Sequence, residues 1–192
     1  MRNYALVVVD MIRDNVNTKG HGMLDVEVKK IIPTILDLAR LFRRCGGQVV
    51  FACDSFMKGD FIFRGKMPPH AIRGTGGDYP IPELEMQPSD LYLPKRRMSA
   101  FYKTDLDQCL RTWGVDTVAV CGIVTNVCVL MTAMDAIQND FSAVVISDAC
   151  ACYRPEVHEM TLKNYEKFPL DPIFRIMTAT QMSDELETAF NT

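Results

Sequence analysis

One stretch constrains this chain more than any other: Val118–Leu130, reading VAVCGIVTNVCVL. Val118, Ala119, Val120 and Cys121 form an uninterrupted apolar run, the pattern of a strand buried on both faces of a parallel sheet. Gly122 ends the run where the backbone can turn without a Cβ penalty. Cys128 then opens a second segment, Val129 to Ala136, that reads as a helix. The spacing puts Cys128 at a helix N-terminus just past the carboxyl end of a central strand, where open α/β sheets hold their ligands. The positive end of the helix dipole lowers the pKa of a thiol in that position. The alternative is that Cys128 is one more small apolar side chain in the core.

The remaining chain supplies a sheet around that strand. Tyr4–Val9 is an apolar, β-branched run that ends in Asp10. A carboxylate there points into the crevice at the sheet's carboxyl edge or caps the next turn. Asp14 reads as a local hydrogen-bonding partner. Asn15–Asp25 is a polar loop carrying His21. Apolar residues from Val28 to Phe42 recur at helical spacing, which predicts a helix over Val26–Arg44 stopped by Gly46 and Gly47. Gln48–Cys53 is a second buried strand, and it too ends in an aspartate, Asp54. Asp90–Leu93 reads as a short strand, and the basic trio Lys95-Arg96-Arg97 behind it as a solvated loop. A helix over Thr104–Gly114 precedes the Cys128 segment. A strand over Phe141–Ile146, a helix over Pro155–Tyr165 carrying His158, a strand over Ile173–Met177 and a helix over Ser183–Phe190 capped by Ser183 follow it. His158 reads as a packed or surface residue. Strands alternating with helices predict an α/β protein: a three-layer α/β/α fold with a mostly parallel central sheet, in one domain spanning residues 1–192.

Ser55–Leu93 shows no periodicity and is rich in Gly and Pro. A stretch of that kind inside a compact domain serves as a lid or pocket wall, and His70 sits in its middle. The net charge is −3 with no basic block, so nucleic acid is not an expected partner. No apolar run reaches the length of a membrane span and the N-terminus carries no signal-peptide pattern, which predicts a cytoplasmic protein with no membrane association. The seven cysteines are scattered, odd in number and without a C-x-x-C pair, as expected for free thiols in a reducing compartment.

Three elements in this order and separation resemble the isochorismatase-like cysteine hydrolases: the strand ending in Asp10, then Lys95-x-x-x-Ser99-Ala100-Phe101, then Gly122-x-x-Thr125-x-x-Cys128-Val129. Asp148-Ala149 after the following strand fits the same pattern, and the similarity runs from Leu6 to Met177. That superfamily includes nicotinamidase/pyrazinamidase, N-carbamoylsarcosine amidase and ureidoacrylate amidohydrolase. The resemblance implies a catalytic triad of Asp10, Lys95 and Cys128. It implies an oxyanion hole from the backbone N–H groups of Val124 and Cys128, and a cis peptide between Ile123 and Val124. In this reading Cys128 is the nucleophile, Asp10 the general base and acid, and Lys95 the electrostatic activator of the thiolate. A thioester intermediate and a dimeric or tetrameric homo-oligomer are further implications.

The sequence departs from the nicotinamidase pattern at the metal site. Asp54 and His70 match the family's ligands, but Phe56 stands where a further His belongs and Met67 replaces a Trp. Two protein ligands are fewer than a zinc site uses. No cofactor is therefore required. Asp54 and His70 would be the ligands if zinc or manganese binds, with Asp60 a candidate substitute. Phe56 would otherwise wall a substrate pocket. The expected activity is release of ammonia from a small carboxamide, as in nicotinamidases. The alternative is metal-free hydrolysis of a carbamoyl or ureido substrate. An alternative of another class is a catalytically idle family member acting as an interaction subunit.

Overall fold

The computed structural model describes residues 3–16 and 23–190; His21, called a loop residue above, lies outside them. The strands are β1 (Tyr4–Val9), β2 (Gln48–Asp54), β3 (Leu91–Lys95), β4 (Thr117–Ile123), β5 (Ser142–Ala151) and β6 (Phe174–Met177). They form one sheet in the order β3-β2-β1-β4-β5-β6, and every neighbouring pair is parallel. The helices are α1 (Arg13–Val16), α2 (Met23–Arg44), α3 (Leu106–Thr112), α4 (Leu130–Gln138), α5 (Pro155–Tyr165) and α6 (Ala179–Phe190). Right-handed crossovers put α2, between β1 and β2, and α4, between β4 and β5, on opposite faces. α6 returns to pack beside α2. Burial on both faces explains why β1 and β4 are almost entirely apolar, with Tyr4 and Thr117 the exceptions at their first positions: every residue of both strands is buried. No helix among the described residues is long and apolar enough to cross a membrane.

The order of the strands reverses between β1 and β4. A parallel sheet opens a crevice at its carboxyl edge at such a switch point. β4 does not stop at Gly122 as the sequence suggests. It runs on to Ile123 with a register shift between Val120 and Gly122. Gly122 has φ +109°, and a Cβ there would lie 2.1 Å from the Val9 carbonyl oxygen. Only glycine lets the two central backbones come this close beside the crevice.

Several boundaries differ from expectation for local reasons. α6 starts at Ala179, not Ser183. The Thr178 hydroxyl accepts from Gln181 N at 3.2 Å while the Gln181 side chain accepts from Thr178 N at 2.8 Å. This is a capping box. Ser183 is inside the helix, its hydroxyl bonded back to Ala179 O at 2.8 Å. The Asp148 carboxylate also receives Ala179 N at 2.7 Å, which places a negative charge at the helix N-terminus. α2 begins three residues earlier than its apolar periodicity indicates. Asp14 also reaches across the chain, accepting from Ala71 N at 2.7 Å.

Candidate active site

β1, β2 and β3 each deliver one charged residue to the carboxyl edge of the sheet. Lys95, the last residue of β3, is fully buried, and its Nζ donates to Asp10 Oδ2 at 2.8 Å and to Asp54 Oδ1 at 2.6 Å. A third bond runs to Arg97 O at 3.1 Å, so all three ammonium protons have acceptors. Pairing this way is what permits a lysine in the interior at all. The parallel register Asp54↔Lys95 aligns the two strand ends. Asp10 is held by three further contacts. Its backbone N donates to Ala52 O at 2.9 Å, its carbonyl accepts from Asn15 Nδ2 at 3.0 Å, and its Oδ1 accepts from Asp54 N at 2.8 Å. Its φ of +56° is a conformation that Asp adopts more readily than most residues.

Cys128 completes the cluster. It is partly buried, and its Sγ and the Asp10 and Asp54 carboxylates present atoms within 4.8 Å of one another. The thiol therefore lies beside both carboxylates at the edge of the sheet. Cys128 does not open α4, as the sequence suggests. It lies in a wide π-type turn, Thr125–Val129, that precedes the helix. Val127 N and Val129 N both donate to Val124 O, at 3.0 and 3.3 Å. The Ile123–Val124 peptide bond is cis. Two side-chain bonds anchor the turn: Thr125 Oγ1 to His158 Nδ1 at 2.8 Å, and Cys152 Sγ to Asn126 Oδ1 at 3.1 Å. The Ser99-Ala100-Phe101 segment docks onto α4, with Ala100 N donating to Thr132 Oγ1 at 3.0 Å.

The electrostatics overturn one expectation. The Cys128 thiol is not acidic at rest: burial first, and then the Asp10 and Asp54 carboxylates, push it well above its usual value, and Lys95 only partly opposes them. The same burial, with repulsion from Asp54, raises Asp10 to about 7. Lys95 is held well above its ordinary value by the two carboxylates, against the cost of its own burial. The resting pair is thus a thiol beside a carboxylate raised to about 7.

The other expected residues are placed as follows. Phe56 is buried, with its ring edge-on to Phe63 at 5.2 Å and to His70 at 5.6 Å. His70 Nδ1 lies 3.0 Å from Pro68 O and donates to it. Among the described residues Asp10, Asp54 and Cys128 form the group of three potential metal donors, and His70 is not in it. Lys95 already occupies that group as a cation, bonded to both carboxylates. A divalent ion there would lie against a buried positive charge, and Asp54 with His70 supplies too few ligands for zinc. Lys95 thus competes with any metal for these carboxylates. Asp60 is no substitute ligand, since it is bound by Arg96 through bonds of 2.9 and 3.0 Å and faces Arg97 at 3.4 Å. The basic trio is therefore not a solvated loop: Lys95 enters the interior, and the two arginines hold Asp60. Sequence reading missed His158 as a partner of the Cys128 turn, because nothing in the spacing of α5 points to Thr125.

A thiol–carboxylate couple at the switch point of a parallel sheet belongs to α/β proteins whose chemistry is built on a strand-end cysteine. The chain belongs to the isochorismatase family, whose domain model matches residues 4–181. An uncharacterised isochorismatase family protein of Bacillus subtilis is 32% identical, with 83% of each chain covered. A ureidoacrylate amidohydrolase of Stutzerimonas stutzeri is 31% identical, covering 85% of this chain and 76% of its own. An isochorismatase-like hydrolase from Alkaliphilus metalliredigens superposes with a TM-score of 0.85 at 35% identity, covering 95% of this chain and 98% of its own. The N-carbamoylsarcosine amidase from Thermoplasma acidophilum does so with a TM-score of 0.80 at 30% identity, over 92% and 96%. For the pyrazinamidase of Pyrococcus horikoshii in complex with zinc, the TM-score is 0.79 at 30% identity, over 92% and 99%.

Proposed function

We propose that this chain is a hydrolase of non-peptide C–N bonds that uses Cys128 as nucleophile, Asp10 as general base and acid, and Lys95 as the fixed positive charge that orients Asp10. The observation that carries this reading is the convergence of the Cys128 thiol, the buried Asp10 carboxylate and the Lys95 ammonium at the carboxyl edge of the sheet. As Sγ attacks a carbonyl carbon, its proton passes to Asp10. The oxygen charge that develops is received by the backbone N–H groups of Val124 and Cys128. Asp10 returns the proton to the departing nitrogen, and ammonia leaves. Asp10 then takes a proton from water, which cleaves the thioester and frees the thiol. Because Lys95 stays charged, Asp10 cycles between its two states without leaving its position.

The substrate class that fits best is a small carbamoyl or ureido compound processed without a metal, because Lys95 takes the carboxylates a metal would need. Relatives of that kind, the ureidoacrylate amidohydrolase and the N-carbamoylsarcosine amidase, support it. A carboxamide on an aromatic ring, as in nicotinamidases, is the second reading. It is favoured by the Phe56–Phe63–His70 ring cluster two residues beyond Asp54. The test is ammonia release from ureidoacrylate, N-carbamoylsarcosine and nicotinamide, each with and without zinc or manganese. Metal-independent turnover of either of the first two supports the first reading. Metal-dependent turnover of nicotinamide supports the second and restores Asp54 and His70 as ligands. Cys128→Ala should abolish turnover, by about 10⁴-fold or more, with the fold retained. Equal iodoacetamide reactivity of Cys128 and the other six thiols would instead favour a catalytically idle interaction subunit.

A further inference from the structure

α5 lies over the Cys128 turn, yet none of its residues is fully buried. Its polar link to that turn is the 2.8 Å bond between His158 Nδ1 and Thr125 Oγ1. Thr125 is 1% exposed, and this is its one side-chain partner among the described residues. A buried hydroxyl must donate or leave its proton unsatisfied, so Thr125 donates and Nδ1 accepts, which fixes His158 as the neutral Nε2–H tautomer. Burial lowers the His158 pKa, in agreement with a neutral ring. Thr125 also borders a small cavity with Leu130 of the helical run and Thr161, Leu162 and Tyr165 of α5. At this corner of the turn the bond to His158 is the directional contact of the Thr125 side chain.

From this geometry we propose that His158 is a positioning residue: through Thr125 it fixes the turn that presents the Cys128 thiol and the Val124 and Cys128 N–H groups to the substrate. Thr125 is the first residue of the turn and Cys128 the fourth, so a rotation at Thr125 carries the sulfur and the Cys128 N–H with it and shifts both relative to the Val124 N–H. Displacements of about an ångström in such groups cost up to about 10²-fold in rate. His158 touches neither the thiol nor Asp10, and its role ends at the Thr125 hydroxyl. The inference rests on Cys128 as the nucleophile.

The test combines His158→Ala, His158→Asn, Thr125→Val and the double variant Thr125→Val/His158→Ala. The first readout is the rate of Cys128 alkylation by iodoacetamide, followed by mass spectrometry, which needs no knowledge of the substrate. The second is kcat and KM on whichever of the three amides above releases ammonia. His158→Ala should slow alkylation and lower kcat about tenfold with KM little changed. His158→Asn, whose Oδ1 can stand where Nδ1 does, should recover most of the loss. The double variant should be no worse than the poorer single one, because both remove the same bond. Thr125→Val keeps the side-chain shape and gives the same answer if His158→Ala does not fold. Alkylation and kcat within twofold of wild type in both single variants would overturn the proposal. So would defects that track the loss in Tm and are not recovered by Asn. Retention of turnover by Cys128→Ala is the separate result that defeats the nucleophile assignment itself.

Discussion

Two carboxylate–cation clusters are fed by the same three consecutive residues. Lys95 turns inward to Asp10 and Asp54, and Arg96 and Arg97 turn outward to Asp60. Burial pushes Asp10 up to about 7. Asp60 is held well below the usual carboxylate range, first by the Arg96 guanidinium and then by the Met57 N–H. Asp60 receives a two-pronged arginine contact and two backbone N–H groups, from Met57 and Phe61. Asp10 shares one ammonium with a second carboxylate and sits in the dry end of a parallel sheet. Coordination by fixed donors makes a carboxylate inert, whereas a shared cation and a poor solvent leave it titratable at working pH. The first arrangement clamps a loop, and the second suits the base proposed for Asp10.

Lys95→Met should have the largest effect. It leaves two buried carboxylates with no counter-ion and is expected to destabilise the fold by about 3–5 kcal/mol, read by chemical denaturation, and to abolish turnover. A loss below ~1 kcal/mol would mean that solvent already reaches the cluster. Asp10→Asn comes next. It keeps the bond from Asp54 N and removes the base, so kcat should fall by about 10²–10⁴-fold. Its stability should move the other way. The Asp10 pKa is raised from 3.8 to about 7, so ionising Asp10 in the folded state costs stability progressively as pH rises between those values. The Tm of Asp10→Asn should therefore gain on wild type over that window, and a gap that does not change with pH would contradict the shift.

A third expectation concerns rate. kcat/KM should rise with pH along a limb centred near 7, as the Asp10 carboxylate forms. A limb centred near 4 would move the titrating group elsewhere. Smallest is Asp60→Asn. It should lower Tm less than Lys95→Met does and leave the rate limb where it is. Because the Asp60 pKa is depressed, its contribution is present above the usual carboxylate range and lost as pH falls through the folded value. The Tm gap to wild type should accordingly shrink in acid. A shift of the rate limb in Asp60→Asn would show that the two clusters are coupled through Arg97.

What the sequence revealed follows from which interactions are local. Buried strands declare themselves by continuous apolar runs, and a strand that ends in Asp10 or Asp54 shows where the sheet stops. The wide turn at Thr125–Val129 is invisible to periodicity, because its five residues are too few to establish a period and its anchors, His158 and Cys152, come from later elements. The resting protonation of Cys128 was misjudged for a related reason. A helix dipole can be inferred from neighbours in sequence, but burial and two carboxylates delivered by β1 and β2 cannot. Charge alone suggested solvent for Lys95 within its basic trio; only the Lys95-x-x-x-Ser99-Ala100-Phe101 motif pointed inward.

Gly122 has a consequence for how the molecule comes into being. The contact it allows, Val9 against Gly122, joins positions more than half the chain apart. Pairings of such long range are the late and slow ones in folding, since much loop entropy is lost before they form. The reactive couple of Asp10 and Cys128 cannot exist before that pairing does. In a refolding experiment the burial of the Cys128 thiol should therefore appear with the last phase, after most helix has formed, so that the thiol acts as the molecule's own clock for completion of the central sheet.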